Sequence, residues 1–358
     1  MTRMAVIQEA GSVEETYGLM RAKLGGVAPD FELRLKAELA FKINTLKRER
    51  NAVILGHNYM EPALYHSVPD HVGDSLQLSQ ISARTNADII VFCGVKFMAE
   101  TAKVLNPGRI VLIPDKEAGC SLAEGITAED VRQLKELYPG APIVTYVNTY
   151  ADVKAESDYC CTSGNADKVV RHILNEGHKR VIFLPDEFLA RNTARELGVP
   201  FVMASPCGGD DTELAKLDRA VIGWSARCEV HEKFTVDDVE NARRQFPDVV
   251  ILAHPECHPD VIERCDFAGS TKAMIDYVRD VDAPRYLLLT ECSMADNLAV
   301  EFPHREMVRL CSLRCEDMAL ITLEATLESL EKTQYAIELP EEVMRRARLP
   351  IDRMIAIH

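Results

Sequence analysis

AVILGHNY (52–59), PIVTYVNT (142–149) and VVILAHPE (249–256) are three short apolar runs, and each closes on polar, chemically capable residues. Each follows a turn-like lead: RERN, YPGA and FPD. After each comes a helix-like stretch and a second apolar run: DIIVFCG (88–94), RVIFLPD (180–186) and RYLLLTE (285–291). A further helical pattern follows: KFMAETAKVL, EFLARNTARELG and CSMADNLAVEF. First strands begin near 53, 143 and 250 and second strands near 89, 181 and 286, so intervals of 90 and 107 residues are matched by 92 and 105. Such agreement predicts three copies of one βαβα design, and repeats of this kind decide the fold before anything else does.

Short continuous Val/Ile/Leu runs between helices read as parallel strands buried on both faces. Ligands of such sheets bind beyond the carboxyl ends of the strands, where all three first strands carry their polar residues. A single barrel would need eight βα steps in series, whereas roughly nine or ten strands grouped in threes are read here. The expected fold is therefore α/β, three pseudo-threefold-related αβα domains with short parallel sheets around a central cleft. The expected boundaries are an N-terminal helical extension at 1–45, repeat 1 at 46–118 completed by C-terminal helices at 318–358, repeat 2 at 119–200, and repeat 3 at 201–317.

Each copy ends in a third strand and turn: IVLIPDKEAGCSLAE (110–124), AVIGWSARCEVHE (220–232) and MVRLCSLRCEDMA (307–319). Each places one cysteine just after the strand: Cys120, Cys228 and Cys315. Their spacings of 108 and 87 do not copy those of the first strands, which points to loop insertions, chiefly the acidic stretch around Gly208–Leu217. The chain has 11 cysteines but no C-x-x-C pair, so a zinc ribbon is poorly supported. Any one cysteine reads most simply as a small buried hydrophobe; three in register read as ligands. Zinc takes four ligands in structural sites, or three plus water in catalytic ones. Iron–sulfur clusters normally take four cysteines, so three would leave one iron open as a Lewis acid suited to dehydration.

The first-strand ends supply His57, Asn58 and Tyr59; Tyr146 and Asn148; and His254 and Glu256, with His231 three residues after Cys228. His, Tyr and Glu are candidates for proton transfer. Three helix starts, at Ser75, Ser163 and Thr271, read as plain N-caps or as anion contacts at free N–H groups. A net charge of −15 with no long basic run disfavours nucleic acid as a partner. No run approaches membrane-spanning length, and the opening MTRMAVIQEAGSVEE has no apolar signal core. A soluble, cytoplasmic protein is expected.

HNY (57–59), GDSLQLS (73–79), GVKFMAETAKVLNP (94–107), GCSLAEG (119–125), TYVNT (145–149), CTSGNA (161–166), CEVHEKF (228–234), AHPEC (253–257), GST (269–271) and TECSM (290–294) together resemble the quinolinate synthase family. The resemblance runs from about residue 50 to about 320. It implies a pseudo-threefold trio of α/β domains and one central 4Fe–4S cluster on Cys120, Cys228 and Cys315. It implies condensation of iminoaspartate with dihydroxyacetone phosphate, a transferase reaction losing phosphate and two waters to give quinolinate for NAD biosynthesis. Tyr59, Tyr146, His231 and Glu256 would be catalytic. His57, Ser75, Tyr146, Asn148, Ser163, His231, His254, Glu256 and Thr271 would bind substrate. Functional coupling to an aspartate-oxidising enzyme is the expected partnership. Departures are the segment CSLRCEDM, whose cysteines stand at i and i+4 where some members carry C-x-x-C-x-x-C, Glu316 where Pro is frequent, and Trp224-Ser-Ala-Arg-Cys228 where W-x-G-x-C is frequent. A non-enzymatic iron–sulfur sensor, or a zinc-dependent lyase or hydrolase, would use the same cysteines otherwise.

Overall fold

The structure is a computed structural model, and it describes residues 6–204, 217–309 and 313–357. Cys207, Cys311 and the acidic stretch 208–216 lie outside the described residues.

The continuous apolar runs form strands for the reason their composition suggests: they are buried on both faces. In the first sheet, β1 (Ala52–His57) and β3 (Ile89–Cys93) carry Ile54, Leu55, Ile90, Val91 and Phe92 almost wholly out of solvent. A short strand, β2 (His71–Gly73), and the third strand, β4 (Ile110–Leu112), complete it in the order β2-β1-β3-β4, all parallel. The second sheet holds β5 (Ile143–Tyr146), β6 (Tyr159–Cys161), β7 (Arg180–Leu184), β8 (Phe201–Met203) and β9 (Ala220–Gly223) in the order β6-β5-β7-β9-β8. The third holds β10 (Val249–Ala253), β11 (Phe267–Ala268), β12 (Arg285–Leu289) and β13 (Glu306–Val308) in the order β11-β10-β12-β13. Every sheet thus has the same plan: a short edge strand, then the first, second and third strands read from the sequence. The fold is α/β, with three short all-parallel sheets flanked by helices.

The third strand starts 21 residues after the second in the first and third sheets (89 to 110, 285 to 306) and 40 residues after it in the second (180 to 220). The added length contains β8, an extra edge strand pairing with β9.

The helices after the second strands, Lys96–Leu105, Glu187–Leu197 and Cys292–Glu301, match the three helical patterns. The middle one stops at Gly198, whose φ of 65° is the left-handed conformation that a Cβ disfavours.

The described chain divides into two compact units. One comprises residues 1–118, 248–250 and 275–338. In it the helices Val13–Leu24, Asp30–Glu49 and Leu323–Lys332 pack around the first sheet. The other comprises 119–247, 251–274 and 339–358 and contains the second sheet. The last helix, Glu341–Ala356, lies against β6 there, and Asn165 Nδ2 donates to the carbonyls of Met354 (3.0 Å) and Ile357 (2.9 Å). No described helix is long and apolar enough to cross a membrane.

Candidate active site

Two of the three first-strand ends repeat one device. In β1, His57 Nδ1 accepts the amide N–H of Tyr59 at 3.2 Å. Beyond β10, His254 Nδ1 accepts that of Glu256 at 3.4 Å. For His57 this leaves the ring proton on Nε2. Each end carries a pair of polar residues two positions apart, at or just beyond the strand: His57/Tyr59, Tyr146/Asn148 and His254/Glu256.

In the second unit the pair His254/Glu256 meets His231 and Cys228. His231 Nδ1 lies 2.6 Å from Glu256 Oε2 and 3.1 Å from Cys228 Sγ. His254 Nδ1 lies 3.4 Å from the same Oε2, and its Nε2 is 3.1 Å from Ser163 Oγ. The two imidazoles stack at 4.6 Å with an interplanar angle of 26°. His231, His254 and Glu256 are almost fully buried. Burial alone would raise Glu256, but the two histidines hold its carboxyl well below the usual range. Burial lowers His231 against the pull of Glu256. Both directions fit one state, a neutral His231 whose Nδ1–H donates to an ionised Glu256.

Cys228, His231 and Glu256 are spaced so that one metal ion could be held. Their 2.6 Å contact is, however, a hydrogen-bond length, whereas tetrahedral zinc ligands about 2.0–2.3 Å from the metal stand more than 3 Å apart. The geometry is that of an acid–base chain ending on a thiol.

Glu256 Oε1 has no hydrogen-bond partner among the described residues, and neither has the buried Asn148 Oδ1. Such atoms are rare and call for an explanation. Asn148 is held from behind. The fully buried Lys154 donates Nζ to the carbonyls of its neighbours, Val147 (2.8 Å) and Thr149.

The short edge strands β2, β6 and β11 run into the three helix starts. Plain capping is not the use made of Ser75 or Thr271, because Asp74 caps the first helix in a capping box with Gln77 and Ser270 accepts from Ala273 in the third. Ser163 instead meets His254.

The three cysteines stand in one local structure. The amide of the residue four positions on donates to each cysteine carbonyl: Glu124 to Cys120 (3.0 Å), Glu232 to Cys228 (3.0 Å) and Ala319 to Cys315 (3.1 Å). Seven positions on, Thr127, Thr235 and Thr322 each cap a ten-residue helix. Between them Ile126, Phe234 and Ile321 are buried. All three thiols are half-buried, whereas Cys93, Cys160, Cys161 and Cys257 are fully buried.

Cys120 and Cys228 belong to the second unit and Cys315 to the first. Within the second unit, Glu229 N donates to Ser121 Oγ (3.4 Å) and the Trp224 indole to Gly125 O (2.9 Å), joining the turns of Cys120 and Cys228. Gly125 is required there, since a Cβ would stand 2.7 Å from that of Ala226. Burial pushes the Cys228 thiol well up, with Glu256 and Cys120 adding to the effect. A bound cation reverses that preference, because a coordinating thiol is deprotonated. The donor set therefore fits a soft, sulfur-seeking metal group.

In the first unit, Tyr59 Oη lies 2.5 Å from Thr290 Oγ1, and the His57 ring packs edge-on against it at 4.7 Å.

The chain matches the family described as "NadA: Quinolinate synthetase A protein" over residues 41–356. It belongs to the NadA family. Among relatives, quinolinate synthase 2 of Mesorhizobium japonicum is 51% identical over 312 residues, spanning 87% of this chain and 89% of the relative. Quinolinate synthase of Caulobacter vibrioides is 48% identical over 325 residues, 90% and 83% of the two chains. That of Xylella fastidiosa is 50% identical over 312 residues, 87% and 85%. This family member is an enzyme of that type.

Sequence reasoning passed over Lys154, Asp186 and Glu291. The last two close the second strands in RVIFLPD and RYLLLTE, and the strand-end rule applied to the first strands would have found them. Asp186 is fully buried: Oδ1 accepts from Leu189 N (2.7 Å) and Oδ2 has no partner among the described residues. Burial, then the charge of Glu256, pushes its carboxyl well above the usual range.

Proposed function

We propose that the chain condenses iminoaspartate with dihydroxyacetone phosphate to quinolinate, releasing phosphate and two waters, in NAD biosynthesis. We place one 4Fe–4S cluster on Cys120, Cys228 and Cys315. The equation balances without an external oxidant. The observation that carries the reading is the chain Cys228–His231–Glu256 with Glu256 Oε1 unpartnered: proton-transfer groups are bonded directly to a ligand cysteine. A sensor would have no need of them. When bound, a cluster held by three cysteines offers an open iron as a Lewis acid for a departing hydroxyl.

The protein's own groups do the rest. Glu256 Oε1 takes protons from substrate carbon or nitrogen, and the Nδ1–H of His231 steadies the carboxylate through Oε2. Asn148 Oδ1 accepts from a substrate N–H or O–H. His254, with Ser163, Ser75 and Thr271, binds carboxylate or phosphate oxygens at helix starts, where amide donors and the helix dipole favour anions. Tyr146 and His57 position substrate, and Tyr59 delivers a proton in a dehydration step. In this reading the enzyme is a cytoplasmic transferase built from three repeats. Its supplier of unstable iminoaspartate is an aspartate-oxidising enzyme.

Protein purified without oxygen and given both substrates tests the proposal. About four iron and four sulfide per chain and chromatographically identified quinolinate are expected. A colourless chain with one zinc would favour the zinc lyase, and a brown chain that forms no quinolinate would favour the sensor.

A further inference from the structure

Tyr59, read as a proton donor, must be reprotonated before it can act again, so it needs a proton source. The end of β12 supplies one. Thr290, bonded to Tyr59 Oη at 2.5 Å, is followed directly by Glu291, whose side chain is 2% exposed. Glu291 Oε2 accepts from Ser293 N (2.8 Å) and Oε1 from Ser293 Oγ (3.2 Å). No lysine or arginine among the described residues pairs with it directly. Tyr59 and Glu291 both line a cavity of about 60 Å³, with Glu61, Ser293, Arg314 and Thr322. A water needs only about 10–15 Å³ of such space and two to four polar partners, and this wall offers more than that.

We propose that Glu291 is the proton partner of Tyr59, connected to it across this cavity and through the Thr290 hydroxyl. The inference rests on the reading of Tyr59 as a proton-transfer group. After Tyr59 gives its proton to substrate, the Glu291 O–H bond breaks and an O–H bond forms at Tyr59 Oη. The carboxylate left behind takes its next proton from solvent. Burial keeps Glu291 a carboxyl up to about 7, opposed by the Ser293 donors and by Arg314. The other titratable or charged groups around it are Asp296 and Cys292 on its own helix, and Glu61 and Tyr59 across the cavity. A purely capping carboxylate would be better placed in water, where it stays ionised.

The test is fluorine NMR of 3-fluorotyrosine-labelled protein as isolated without oxygen, with the Tyr59 signal identified by its loss in Tyr59→Phe. In the unsubstituted chain that signal should shift with an inflection between about pH 6 and 8, the range in which Glu291 changes charge. Glu291→Gln should abolish the inflection, and Glu291→Asp should keep it at a displaced pH. Quinolinate formation by Glu291→Gln should fall about 10²-fold in kcat with little change in KM. No inflection in the unsubstituted chain, or one that survives in Glu291→Gln, overturns the proposal. If the unsubstituted chain makes no quinolinate, the proposed function fails, while the fluorine titration still decides whether Glu291 and Tyr59 are linked.

Discussion

Replacing Glu256 by Gln changes one oxygen to an amide nitrogen in the most tightly bonded part of the site. The amide can still place its oxygen toward the Nδ1–H of His231, now 2.6 Å from Oε2. Its NH₂ must then occupy the position of Oε1, which has no partner among the described residues. An unsatisfied buried donor costs about 1–3 kcal/mol, so the variant should fold with a modest loss of stability. Chemistry should suffer far more. Gln has no basic site, and a general acid–base group contributes about 10²–10⁴ in rate, or about 2.7–5.5 kcal/mol of barrier at ~1.4 kcal/mol per decade. The charge that helps hold Asp186 protonated also disappears, so Asp186 should ionise more readily. The assay is anaerobic turnover followed by chromatographic quantitation of quinolinate, with iron and sulfide measured on the same sample. The expected result is full cluster content, KM within a few-fold, and kcat down by about two to four decades. Turnover near that of the unsubstituted chain would refute the assignment, because the protons would then travel by another group.

Cys120→Ser, Cys228→Ser and Cys315→Ser should each abolish cluster binding, read as loss of iron, sulfide and the brown absorbance; Cys160→Ala and Cys257→Ala, at fully buried thiols, should keep it. Lys154→Met should move the denaturant midpoint down by the equivalent of about 2–4 kcal/mol, since two carbonyls lose a charged donor, and should weaken substrate binding through Asn148. Glu291 is raised from 4.5 to about 7, so its contribution to stability is fully present below about pH 4.5 and is lost as pH rises through 7. At ~1.4 kcal/mol per pH unit that is about 3 kcal/mol, and Glu291→Gln should fall less in stability between pH 5 and 8 than the unsubstituted chain, as measured by urea unfolding.

Nine strands and the helices after the second strands were legible because they recur in one order: a short, mostly apolar run, then a helical period. The edge strands were not legible. HVG (71–73), YCC (159–161) and FA (267–268) are two or three residues long and pair with β1, β5 and β10. FVM (201–203) is read as a boundary in sequence, yet it pairs with β9. Among the candidate residues, Glu256, His231, His254 and Ser163 could be named from position, but their mutual bonding could not. Cys228 and Glu256 are 28 positions apart, and only the fold sets His231 between them. Lys154 was illegible for the opposite reason: a lysine in a short helix reads as solvated surface, and nothing in its neighbourhood announces that its ammonium is buried under Val147 and Thr149.

The strongest sequence signal for the proposed ligand cysteines lay one step beyond the register of strands. CSLAEGIT (120–127), CEVHEKFT (228–235) and CEDMALIT (315–322) share a cysteine, a buried apolar residue six positions on and a threonine at seven. Each element of that pattern has a physical cause. The threonine ends the turn by capping the next helix, accepting from Asp130, Asp238 and Ala325. The apolar residue anchors the turn in its core. The cysteine carbonyl closes the turn on the amide at position four, so the backbone around each thiol is determined from both sides. A cysteine serving only as a small hydrophobe needs none of this and sits anywhere a methyl-sized group fits, as Cys93 and Cys160 do in strands. Three half-buried thiols held in three copies of one rigid turn are better explained by a common ligand requirement than by packing. In the second repeat, position three of the turn is His231, where the first and third carry Ala123 and Met318. The same scaffold that presents a thiol in every copy therefore presents in one the imidazole proposed as a proton carrier, and its partner there is Glu256.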